Sequence, residues 1–323
     1  MKPPLRWSAA AGITLALIAT APVNANPAPT TTDPDSIASS VALTNSNRMV
    51  ASDETINEVI EYWTPERMNN ATPLEVEWAP TATRQAPQPD GPPTIVSSPV
   101  PPSTTHNRNN AINTRSTAVG KLFFVHSGID RWCSASTITS PKGRLIFTTG
   151  SCLHSGPTGE WHSNIVFVPA YDNGKEPHGK WPIVHKHSFK GWTVNGKAEW
   201  NVGFAETATI NGKTVKSQVG AHGFVYNWSV ERTTRISYPY NNGQEQVTCE
   251  DNHPDIHSDP DGNIEMIEVE CDSRAQGGGP FLHNLDAGSN LGYIIGVAQS
   301  DWGPYFDADV KGLYDAAEKA SDG

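Results

Sequence analysis

The sequence predicts an all-β fold, a sandwich or a pair of barrels, closed by a short C-terminal helix. Two observations carry this expectation. From Lys121 onward, short β-prone runs recur at close spacing, separated by the turn pairs Asn173-Gly174, Asn195-Gly196, Asn211-Gly212 and Asp261-Gly262. Helical spacing returns in that half only over Val310 to Lys319.

Taken in order, the 323-residue chain opens on Lys2 and Arg6, an apolar run from Ala9 to Ala21 and small residues at Val23-Asn24-Ala25. That is the pattern of an export signal cleaved after Ala25, so residues 1–25 are expected to be removed and the product to be secreted, without a membrane anchor. Residues 26 to about 53 are rich in Pro, Thr, Ser, Ala and Asn and read as a disordered leader. Ile56, Val59, Ile60 and Trp63 then recur at three- and four-residue spacing behind Ser52 or Asp53 as N-cap, which predicts an amphipathic helix that Thr64-Pro65 ends. From Ala79 to Thr117 eight prolines describe a semi-extended linker with no means of burying a core, in which Arg108 and Arg115 are exposed basic points for processing. Residues 26–118 are thus expected as a leader and linker around one helix (about 53–68), and 119–323 as the single folded domain.

Within that domain strands are expected at 121–125, 133–138, 144–149, 164–168, 181–184, 202–205, 214–217, 235–238, 245–248, 265–269 and 293–297. Ala275-Gln276-Gly277-Gly278-Gly279-Pro280 before Phe281-Leu282 reads as a tight turn, because glycine reaches positive φ cheaply. The net charge of −11 argues against a nucleic-acid partner. Four cysteines, with no Cys-x-x-Cys pair, suit two disulfides in an oxidising compartment or, failing that, free buried thiols.

The glycine turn resembles the Gly-Asp-Ser-Gly-Gly-Pro loop of the trypsin/chymotrypsin-like serine peptidases, with Gly277 in the serine's place and Gln276 in the aspartate's. Upstream, Thr148-Thr149-Gly150-Ser151-Cys152 resembles the family's Thr-Ala-Ala-His-Cys string, and Asn201-Val202-Gly203-Phe204 its aspartate-bearing strand start. Tyr238-Pro239-Tyr240 is similar to the secreted microbial branch, and Tyr62 to Met68 looks like that branch's pro-segment. The resemblance implies a chymotrypsin-like double six-stranded β-barrel with disulfides Cys133–Cys152 and Cys249–Cys271. It implies too that the His, Asp and Ser positions hold Ser151, Asn201 and Gly277.

Those replacements have chemical consequences. Glycine offers no attacking atom, and a serine hydroxyl does not take up a proton near neutral pH as imidazole does. The amides of the Ala275, Gln276 and Gly277 loop can still form an oxyanion hole. The expected protein is therefore a monomeric, inactive peptidase homologue that binds a protein or peptide. The alternative is a secreted serine endopeptidase using displaced residues, for which His154, Ser273, Asp272 and Glu199 are the candidates.

No cofactor is expected. His257-Ser258-Asp259-Pro260-Asp261-Gly262 with Glu268 has the spacing of a calcium loop, but histidine at its first position favours an exposed Asp-Gly hairpin. His185 and His187 share a strand face without a third ligand for a metal.

Overall fold

The computed structural model describes Met1 and residues 36–75, 88–103, 115–259 and 262–320. Apart from Met1 the expected export signal lies outside these residues, as do Arg108 and Asp261. The first half contains β1 (Ile37–Val41), α1 (Asp53–Tyr62), α2 (Pro65–Asn70), β2 (Thr72–Pro73), β3 (Thr94–Ser97), β4 (Val119–His126), β5 (Ile129–Thr137) and β6 (Leu145–Thr148). It continues with β7 (Ser163–Pro169), β8 (Trp181–Phe189), α3 (Lys190–Thr193), β9 (Gly203–Thr207) and α4 (Val215–Val219). The second half comprises β10 (Gly223–Tyr226), β11 (Thr233–Ser237), β12 (Val247–Asp251), β13 (Asp255–Ser258), β14 (Ile264–Glu268), β15 (Pro280–Asp286), β16 (Leu291–Val297), β17 (Trp302–Pro304) and α5 (Ala308–Ala320).

Strands β4 to β9 close on themselves in the order β4-β5-β6-β9-β8-β7, every pairing antiparallel. Six strands make a barrel narrow enough for side chains to fill, and both faces of its wall are covered: Leu122 and Phe167 pair on one face and Phe123, Phe147 and Phe204 share the other, all without exposure. Lys121 is buried among aromatic faces, its Nζ 3.8 Å from the Trp132 ring centre and 4.6 Å from that of Tyr171. Burial pushes this amine down to about 7. The second half builds a six-stranded sheet, β12-β11-β15-β16-β10-β3, beside a three-stranded one, β13-β14-β17. Helix α5 joins the halves: Tyr314 packs on Phe204 of the barrel and on Phe224 of β10. Both disulfides, Cys133–Cys152 and Cys249–Cys271, are formed.

Composition misjudged the segments before Val119. Residues 37–41, read as disordered leader, pair along their whole length with β8, and β3 pairs with β10 in what reads as linker. Edge pairing uses backbone groups, so a run of Ser, Thr and Ala joins a sheet that composition does not reveal. Arg115 is not a free basic point: it pairs with Asp172 at 2.8 Å and Glu245 at 2.7 Å. The expected strand at 214–217 is instead the start of α4, because the Thr214 hydroxyl accepts from the Ser217 amide and Ser217 reciprocates in a capping box. Helix α1 starts as anticipated, with Ser52 as its cap.

Three buried histidines set an expected pH dependence. Burial pushes His162 and His222 down to about 3 and His187 to about 4. The unfolded chain takes up these protons near pH 6.5 while the native chain resists them, so their contribution is complete above 6.5 and lost as pH falls. Asp307, raised to about 7 by burial, works in the opposite sense, as do Asp90 and Glu265, while the burial that lowers His126, His154 and His283 adds to the histidine effect. The melting midpoint is expected to fall by about 10 °C between pH 7 and pH 4.5, measured by calorimetry; a flat profile would contradict the burial of neutral imidazoles.

Candidate functional site

Three elements deliver the three predicted positions to one crevice. A 3-10 turn at Gly150–Cys152, after β6, presents Ser151, and the disulfide from Cys152 to Cys133 of β5 ties that turn down. A second 3-10 turn at Ala198–Trp200 ends on Asn201, just before β9. The glycine turn enters β15 and brings Gly277 opposite them. Ser151, Asn201 and Gly277 line the same crevice, together with Ala275 and Gln276.

Their hydrogen bonds define what the crevice offers. The Ser151 amide donates to Asn201 Oδ1 at 2.6 Å, and Asn201 Nδ2 donates to Ser151 Oγ at 3.3 Å. The Thr149 hydroxyl shares a bond with Ser151 Oγ at 3.0 Å. Asn201 is wholly buried and Ser151 nearly so, so the pair forms a closed, neutral unit with no group that titrates near neutral pH. The Ala275 and Gly277 amides meet no hydrogen-bond acceptor among the described residues. Two such donors can take a carbonyl or carboxylate oxygen. The lining contains no histidine and no carboxylate.

The displaced candidates lie elsewhere. His154 Nδ1 accepts from the Gly156 amide at 3.1 Å, and its ring sits against Trp161; burial lowers its pKa. The Ser273 carbonyl accepts from Arg235, Asp272 is exposed, and Glu199 lines a separate cavity beside Trp200 and Glu265. His162, not anticipated from sequence, places Nε2 2.9 Å from the Ser151 carbonyl oxygen, stacked on Phe124. A carbonyl only accepts, so this Nε2 carries the proton and points to backbone rather than to a hydroxyl.

The weaker metal candidates are otherwise engaged. Glu268 bonds His257 at 3.0 Å, and the Asp259 carboxylate accepts from the amide and side chain of Asn263. His185 pairs with Glu206, and His187 Nδ1 with Ser39 Oγ at 2.8 Å. Among the described residues no group of three His, Cys, Asp or Glu side chains could hold a metal ion.

Sequence reasoning missed Leu74, Tyr240, Arg274 and Gln299, which also line the crevice. Leu74 follows β2, whose residues pair in parallel with Arg131 and Trp132 of β5. That contact joins segments 59 residues apart, and no local pattern reports it.

No family model and no curated protein matches the chain. Solved structures do. A thermostable serine protease, AL20, from an extremophilic microorganism is 28% identical with a TM-score of 0.57, over 63% of this chain and 98% of its own. The protease Anisep from Arthrobacter nicotinovorans is 27% identical with a TM-score of 0.56, over 64% and 98% respectively.

Proposed function

Because the chain has the chymotrypsin-like serine peptidase fold, we propose that it is an exported peptidase homologue that binds a protein or peptide without hydrolysing it. The observation that carries this reading is the crevice itself. Its nucleophile position holds Gly277, and its base position holds a serine hydroxyl tied to Asn201 and Thr149. In a working triad the Asp-to-Asn change alone costs about 10⁴ in rate, and loss of nucleophile and base leaves only the oxyanion donors and binding. Export is supported by the leader pattern of residues 1–25 and by two disulfides. No helix among the described residues is long and apolar enough to cross a membrane.

One contact favours the enzymatic alternative. Ser155 Oγ lies 3.2 Å from His126 Nδ1 outside the crevice. The same Oγ also reaches the Glu160 carbonyl at 3.2 Å, and no carboxylate orients His126 among the described residues. Intact protein is expected to leave casein and fluorogenic peptides uncut and to form no fluorophosphonate adduct, read by intact mass. An adduct mapped to Ser155, Ser151 or Ser273 would replace this reading with the enzymatic one.

A further inference from the structure

The crevice retains a free volume of only about 10 Å³, room for no more than one water. What fills it is this chain's own segment after α2. The Leu74 amide donates to the Trp132 carbonyl at 3.1 Å, continuing the pairing of Thr72 and Pro73 with β5. The Leu74 carbonyl accepts from Gln276 Nε2 at 2.9 Å, so the glycine turn grips the segment from the other side. Arg131 Nη1 donates to Thr72 Oγ1 at 2.8 Å, and the Tyr240 hydroxyl donates to Glu75 Oε1 at 2.8 Å. Arg274 lies over the Tyr240 ring, 5.1 Å from its centre.

These are contacts by which a groove holds an extended peptide: backbone bonds to a strand on one side, and the side chains of Gln276 and Tyr240 on the other. We infer that residues 72–75 are a built-in occupant of this groove, displaceable by an extended peptide that carries an apolar side chain followed by a carboxylate. The inference rests on the binding reading above and names its ligand class. The apolar position is Leu74's, packed toward the barrel core. The carboxylate position is Glu75's, held by the Tyr240 hydroxyl, whose ring Arg274 covers, and with no acid in the lining.

Two features let the occupant leave while the fold stays. Glu75 and Thr72 are exposed and Leu74 only half-buried. The chain upstream is anchored separately, by wholly buried Trp63, whose Nε1 donates to the Asn164 carbonyl, and by Arg67 paired with Asp130. The segment can therefore peel from the crevice without releasing α1 or α2.

The test uses full-length protein and a fluorescein-labelled peptide copying residues 71–78, with binding read by anisotropy. An occupant seated in about nine chains of ten weakens the apparent affinity about tenfold. E75R, which sets a cation at the Tyr240 hydroxyl where Arg274 and Arg131 already act, and L74D/E75R are therefore expected to bind the peptide about tenfold or more tighter than the parent. E75R alters an exposed side chain and so keeps a folded variant in the comparison, with melting curves as the check. A peptide with lysine at the Glu75 position is expected to bind both variants more weakly. Equal affinity of parent and variants would overturn the built-in occupant and leave peptide binding standing. Absence of binding to every form would overturn peptide binding in this crevice as well, and equal binding of the lysine peptide would overturn the carboxylate preference.

Discussion

Combining S151H, N201D and G277S in one chain is expected to create peptide hydrolysis about 10⁴-fold above the parent, with none of the single changes doing so. Triad members act as a unit, so a nucleophile without a base, or a base without a nucleophile, gains almost nothing. The geometry favours the combination. Positions 151 and 201 are already joined by two hydrogen bonds, at 2.6 and 3.3 Å. A Cβ at 277 would stand 3.2 Å from Thr149 Oγ1 and 3.3 Å from the Gln299 carbonyl, tight contacts that a shift of a few tenths of an ångström relieves. Hydrolysis of a fluorogenic peptide is the readout, with and without E75R, since the segment at Leu74 covers the same crevice. If G277S alone matched the triple variant, a base outside the three positions would be at work. If the triple variant folded but stayed inert, the three positions would not share a productive geometry.

The second large effect separates the packing role of the glycine turn from its chemical one. Gly278 has φ of +105°, and a Cβ there would meet the Ser134 carbonyl oxygen, a backbone atom, at 1.8 Å. G278A combines that overlap with a backbone conformation closed to alanine, and is expected to cost about 4 kcal/mol or more, a fall of roughly 10 °C or more in melting midpoint. G277A, one residue away and without positive φ, is expected to cost less than about 1 kcal/mol. Thermal unfolding of the two variants side by side gives the comparison. Equal midpoints would mean that the close approach at Gly278 relaxes freely. The expected difference assigns Gly278 a packing role of its own, because the turn passes β5 at contact distance.

Much of the fold was legible in local pattern. The β-prone runs with Asn-Gly turns foretold the strands of the barrel, and Val310 to Lys319 foretold α5, because alternation and helical spacing are properties of neighbouring residues. The site was legible only through resemblance, in three short strings whose residues local chemistry alone would not connect. Where local signals misled, a longer-range bond had won: Ile37–Val41 became a strand because β8 had an edge to offer, and Thr214 nucleated a helix through its cap.

By itself, then, the amino-acid order determined which chemistry positions 151, 201 and 277 can supply, since a glycine has no nucleophile and an amide no charge in any conformation. Only the tertiary structure decided that these positions meet in one crevice, and that Leu74 fills it. Such contacts depend on how far-separated backbones close on one another, and that distance is set by the packed barrel rather than by any neighbour along the chain.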